Sequence, residues 1–146
     1  MRTCDAVGAC RAVPDTDHYH RSLRTGDTLD VRPCIHWVES KDSWVEQQSR
    51  RGARIVGVEL GEDSTALKAV GVARQRTVVL LGNETEGIPR NVWSFIDDVV
   101  SIPMMGVGRS LNVAVAGSLV LYKLSGLAYE LTRPATAVRS MTRSSR

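Results

Sequence analysis

Two short aliphatic runs, Ile55-Val56-Gly57-Val58 and Val78-Val79-Leu80-Leu81, have no polar face. A strand turns successive side chains to opposite sides, so a run that is apolar at every position must be covered on both. A chain built on such strands places helices above and below a largely parallel sheet, which is an α/β domain. Strands are expected at 9–13, 34–38, 54–60, 77–81 and 99–102. Helices are expected between them. The stretch 40–51 carries a Ser43 to Glu46 capping box and stops at Gly52. The stretch 89–95 opens with Pro89, which suits a first helical turn. The stretch 111–124 follows Ser110 as N-cap and is apolar nearly all round, so it must be buried on most sides or shared with a second subunit.

The remaining segments are polar. Residues 14–33 have no clear period and form a long loop, and 132–146, rich in Ser, Thr and Arg, form a frayed tail. The expected organisation is one domain over 1–127 and a basic tail over 128–146. The net charge of +3 belongs to that tail, where Arg133, Arg139, Arg143 and Arg146 face Glu130 alone. A polyanionic partner fits this excess, although modest basicity does not establish one. At 42% hydrophobic the chain is too apolar for disorder, and it has no apolar run near the roughly 18 to 20 residues a membrane helix needs. Arg2 and Asp5 stand where a signal peptide would have its apolar core, so the expected location is cytoplasmic.

Cys4, Cys10 and Cys34 are odd in number and form no C-x-x-C pair. They are expected to be small reduced hydrophobes, with neither a disulfide framework nor a zinc site. His18-x-His20 beside Asp15 and Asp17 is expected to be solvated, so no metal is assigned. Trp37 and Trp44 are expected to anchor the core or an interface.

Two strand-to-helix junctions are the candidates for chemistry. The first is Leu81-Gly82-Asn83-Glu84-Thr85-Glu86-Gly87-Ile88-Pro89, in which glycines allow close backbone approach beside an amide and a carboxylate. By itself it is equally a glycine-bounded turn. The second is Ile102-Pro103-Met104-Met105-Gly106-Val107-Gly108-Arg109-Ser110-Leu111-Asn112. Its G-x-G invites a dinucleotide reading, but Leu111 stands where G-x-G-x-x-G needs its last glycine. Asn112, on an otherwise apolar helix, must find a hydrogen-bond partner.

Together these junctions resemble motifs two and three of the SpoU/TrmH family of S-adenosylmethionine-dependent RNA 2'-O-ribose methyltransferases, in the SPOUT superfamily. The resemblance rests on Leu81-Gly82-Asn83-Glu84 with Gly87, on Ile102-Pro103-Met104, and on Ser110-Leu111-Asn112-Val113 with Ala116. Arg2-Thr3-Cys4-Asp5-Ala6-Val7-Gly8 is similar to the second half of motif one, in the form used by the branch that methylates a tRNA D-loop guanosine.

The resemblance implies a SPOUT-type, mostly parallel sheet whose C-terminal helix threads a loop into a deep trefoil knot, a topology general folding rules would exclude. It implies a homodimer acting on tRNA or rRNA with S-adenosylmethionine. By matching positions, donor contacts fall on Val58, Glu59, Leu60, Gly82, Asn83, Ile102, Met104 and Leu111. Catalytic or substrate-orienting roles fall on Arg2, Glu84, Ser110 and Asn112. The family carries a further strand and an Asn before this arginine. Here the chain begins at Met1, so the expectation is a domain without that N-terminal strand, and a non-catalytic RNA- or cofactor-binding remnant is the alternative of another class.

Overall fold

The computed structural model describes residues 2–14, 34–82, 86–107 and 110–127. In chain order the elements are α1 (Arg2–Ala6), β1 (Arg11–Pro14), β2 (Ile35–Val38), α2 (Lys41–Arg50), β3 (Arg54–Val58) and β4 (Thr65–Ala66). A 3₁₀ turn (Leu67–Ala69), β5 (Thr77–Leu81), a second 3₁₀ turn (Arg90–Phe95), β6 (Asp98–Ser101) and α3 (Val113–Ser125) follow. The expected strands are present. β4, only two residues long, lies below the length at which a sequence period can be recognised.

Four strands form one parallel sheet in the order β4-β6-β3-β5. Central β3 sets Ile55 beside Val78 and Val58 beside Leu81 on one flank, and Gly57 beside Val99 on the other. The two apolar runs divide their side chains as the strand period requires. Ile55 joins Val45, Ala53, Ile88 and Val92 in a core beneath α2 and the second 3₁₀ turn, with Val78 and Leu80 against it. Val56 joins Val70, Val100, Val120 and Leu124 in the core under α3, with Val58 and Val79 against it. The entrance to the sheet is pinned by charge: Asp97 Oδ2 accepts from the Ile55 N–H, and Arg54 Nε donates to Asp98 Oδ2, each at 2.7 Å. The hydrogen bond to Asp98, then the charges of Asp98 and Asp97, raise the Arg54 guanidinium above its already high pKa.

β1 and β2 form a separate parallel pair with Arg11 opposite Ile35, and α2 packs against both β1 and β3. That register places the preceding residues, Cys10 and Cys34, side by side. They form a disulfide with Cα atoms 4.6 Å apart, which corrects the expectation of reduced thiols. Spacing along the chain could not give this, because the two cysteines become neighbours only through strand pairing. Cys4 remains free.

Three local expectations are also corrected. Helix α2 is capped by Ser40, whose Oγ accepts from the Ser43 N–H at 3.3 Å; Ser43 lies inside the first turn, and Glu46 instead pairs with Arg50. Pro89 precedes a 3₁₀ turn, not an α-helix. Helix α3 is capped by Asn112, not Ser110. Trp44 packs on the core beneath α2, whereas Trp37 stays 38% exposed. The loop from 15 to 33, with His18 and His20, and the tail from 128 lie outside the described residues. No helix among the described residues is long and apolar enough to cross a membrane.

Candidate functional site

At the carboxyl ends of β3, β5 and β6 the backbone leaves the sheet in three loops around a cleft of about 800 Å³. Each parallel strand delivers its loop to the same end, which is why ligands of open α/β sheets bind there. Val58, Leu81 and Val100 close the base. The loop after β3 contributes Glu59 and Leu60, and the loop after β5 contributes Gly82, Glu86, Gly87 and Ile88. The chain after β6 contributes Ile102, Met104, Ser110 and Leu111, and the first turn of α3 adds Val113 and Ala116.

Glycine makes this arrangement possible. A Cβ on Gly82 would stand 2.5 Å from the Gly87 carbonyl carbon, so the loop folds back on itself only without a side chain there. Gly87 has φ of +67°, and a Cβ on it would stand 2.6 Å from Glu59 Oε2. The Glu59 carboxylate therefore lies over the β5 loop, with Oε1 also accepting from the Leu60 N–H at 3.1 Å. Arg90 and Trp93 line the rim, and the Trp93 indole is held by donating Nε1–H to the Ile88 carbonyl at 3.0 Å. The lining thus combines apolar Ile102, Met104 and Leu111 with polar Glu59, Glu86 and Arg90.

Of the residues assigned from sequence, Val58, Glu59, Leu60, Gly82, Ile102, Met104, Leu111 and Ser110 all line this one cleft. Asn83 and Glu84 lie outside the described residues, and of Arg2 only the backbone, in α1, is described. Helix α1 sits against α3, joined by the Thr3 Oγ1 to Ser118 Oγ hydrogen bond of 2.8 Å. Asn112 is not among the lining residues. Its Oδ1 accepts from the Ala114 and Val115 N–H groups at 2.9 and 3.3 Å, so the partner it requires is the helix it caps. Sequence reasoning missed Glu86, Arg90, Trp93 and Val113 as lining residues. The available signal was their closeness in the chain to Gly87-Ile88-Pro89 and Leu111, which names a neighbourhood but not an orientation.

Residues 1–122 match the SpoU rRNA Methylase family. The chain is 33% identical over 132 residues to a mouse tRNA (guanosine(18)-2'-O)-methyltransferase, TARBP1, covering 84% of this chain and 8% of that protein. It is 30% identical over 131 residues to the tRNA (guanosine(18)-2'-O)-methyltransferase of Aquifex aeolicus, covering 84% of this chain and 59% of the relative. The chain therefore spans less than two thirds of either relative. Among solved structures it superposes on the SpoU methyltransferase AviRb of Streptomyces viridochromogenes, in complex with the cofactor AdoMet, with a TM-score of 0.63 and 29% identity. That match covers 91% of this chain and 52% of the other.

Proposed function

The chain belongs to the SpoU rRNA Methylase family, and from that membership we propose that it is an S-adenosylmethionine-dependent RNA 2'-O-ribose methyltransferase acting on a guanosine of the tRNA D-loop. The observation that carries this reading is the convergence of the β3, β5 and β6 loops on one cleft. The relatives named for guanosine 18 of tRNA support the choice of RNA.

The residues present fit the donor. Ile102, Met104 and Leu111 offer apolar contacts for a flat base, and the cleft has the size of a cofactor site. The close packing of Gly82 on Gly87, and of Gly87 under the Glu59 carboxylate, fixes the β5 loop at the edge of the cleft, and Glu59 and Glu86 can accept hydrogen bonds from ribose hydroxyls or an amine. S-adenosylmethionine supplies a methyl group already activated on a sulfonium. The protein's task is then to align the 2'-hydroxyl and favour the developing alkoxide. In this reading Arg2 anchors the neighbouring phosphate, since a guanidinium does not accept a proton at working pH. Glu84 and Ser110 orient the nucleotide. Asn112 serves the site through the position of α3.

The finer architecture belongs to the same proposal. The chain passes through a trefoil knot, and α3 is the threaded element: its end is fixed where Ala73 N–H donates to the Leu124 carbonyl at 2.9 Å. Val115, Leu119 and Tyr122 form an exposed apolar stripe on α3, which suits a homodimer contact. The basic residues beyond 128 follow the RNA backbone in the cytoplasm.

Methyl transfer from labelled donor to unmodified tRNA and to rRNA tests the reading. The expected result is transfer to tRNA, abolished by Arg2→Ala. Asn112→Ser, which keeps a capping oxygen, should retain more activity than Asn112→Ala. Donor binding without transfer to either RNA would make the chain a binding remnant, and transfer to rRNA alone would reassign the substrate. Removing 133–146 should weaken tRNA binding and flatten its salt dependence.

A further inference from the structure

We propose that Cys10, Cys34 and His36 form a redox-gated zinc site, in which the reduced cysteines and the imidazole hold one Zn²⁺ and oxidation to the disulfide expels it. Nothing in the methyltransferase reading uses these residues, which lie at the start of the β1–β2 pair, the cysteines just before the strands and His36 within β2, and do not line the cleft.

Strand geometry builds the ligand set. Cys34 immediately precedes β2 and His36 is two residues on, within the strand, so that extended backbone turns their side chains to the same side. Cys10 stands beside Cys34 across the parallel pair. One ligand atom from each residue lies within 4.8 Å of the other two, and His36 Nε2 is 3.9 Å from Cys34 Sγ. In a tetrahedral zinc site with ordinary Zn–S and Zn–N bonds, neighbouring ligand atoms are separated by about 3.5 to 3.8 Å. Side-chain rotation after the S–S bond opens is enough to reach that spacing, because the backbone is already in place. Two thiolates and one imidazole are a soft, zinc-selective donor set. All three residues are exposed, so the ion enters from solvent and water takes the fourth position.

The two states exclude each other chemically. Zn²⁺ binding to the dithiol releases two protons. A low-molecular-weight disulfide then couples the two thiolates into one S–S bond, is itself reduced to two thiols that take two protons from solvent, and leaves Zn²⁺ free. A neutral disulfide sulfur is a poor zinc ligand, and His36 alone cannot retain the ion.

The test uses the full chain, reduced with a phosphine and titrated without oxygen, with Co²⁺ as optical probe and Zn²⁺ against a chromophoric chelator. One metal per chain with a thiolate-to-metal charge-transfer band is expected for the reduced chain and none for the oxidised chain. Oxidised glutathione added to the zinc-loaded chain should release the metal in step with loss of two thiols. Cys10→Ser and Cys34→Ser should each abolish the site, His36→Ala should weaken it at least about tenfold, and Cys4→Ser should leave it unchanged. The proposal fails if oxidised and reduced chains bind equally or if His36→Ala keeps full affinity. It fails too if the reduced chain binds no better than the Cys10→Ser/Cys34→Ser double variant. Zinc release from the unmutated chain is independent of whether any variant folds.

Discussion

The β1–β2 and β3–β5 pairs share a parallel hydrogen-bond pattern, yet they are held together by different forces. In β3, Ile55 and Val56 are fully buried, one in each core, so the pair is fixed by apolar cover on both sides. In β2 only Val38 is buried, while His36 and Trp37 face solvent, and the pair is fixed by a covalent bond just before the strands. Parallel strands need burial or a constraint in its place, because their hydrogen bonds contribute little net free energy after the exchange with water. The cleft is on the buried sheet, where β3, β5 and β6 hold the loop origins in a fixed relation.

This contrast can be broken most directly in the core. Ile55→Ala should cost about 2–5 kcal/mol in urea unfolding, while Ile35→Ala on the half-buried pair should cost much less; equal losses would erase the distinction. Reducing the disulfide should cost about 3.5 kcal/mol through the closure entropy of its 24-residue separation. Hydrogen exchange should then rise at 11–13 and 35–38 before it rises at 54–58. Simultaneous exchange would mean that the two sheets open as one unit. Gly82→Ala, with its Cβ forced against Gly87, should weaken S-adenosylmethionine binding at least tenfold (~1.4 kcal/mol), measured by calorimetry. Leu111→Asp should do the same by placing a charge among the apolar lining residues; unchanged affinity would move the donor elsewhere. The smallest effect is expected at the partly exposed Arg54–Asp98 pair, where Arg54→Met should lose no more than about 1 kcal/mol.

Legibility followed the range of the interactions involved. Strands at 54–58 and 77–81 could be read because aliphatic runs of that length report their own burial. The helix caps were misplaced by two or three residues. Ser40 and Ser43, or Ser110 and Asn112, are interchangeable as chemistry, and only the backbone turn decides which oxygen meets a free N–H. The residues assigned to the donor came from motif resemblance, and the cleft gathers all of them that are described. Arg90 and Trp93 were missed because their approach to the cleft depends on the path of a 3₁₀ turn.

The sequence by itself determined that a two-sided parallel sheet forms, because residue type and local period contain that information, and its resemblance to a family singled out the glycine-bearing turns after the strands. Tertiary structure alone decided that three turns share one cleft and that Cys10 meets Cys34 and His36 beside a second pair of strands. Those outcomes depend on register and crossing between segments tens of residues apart, and no local pattern of side chains encodes such a relation.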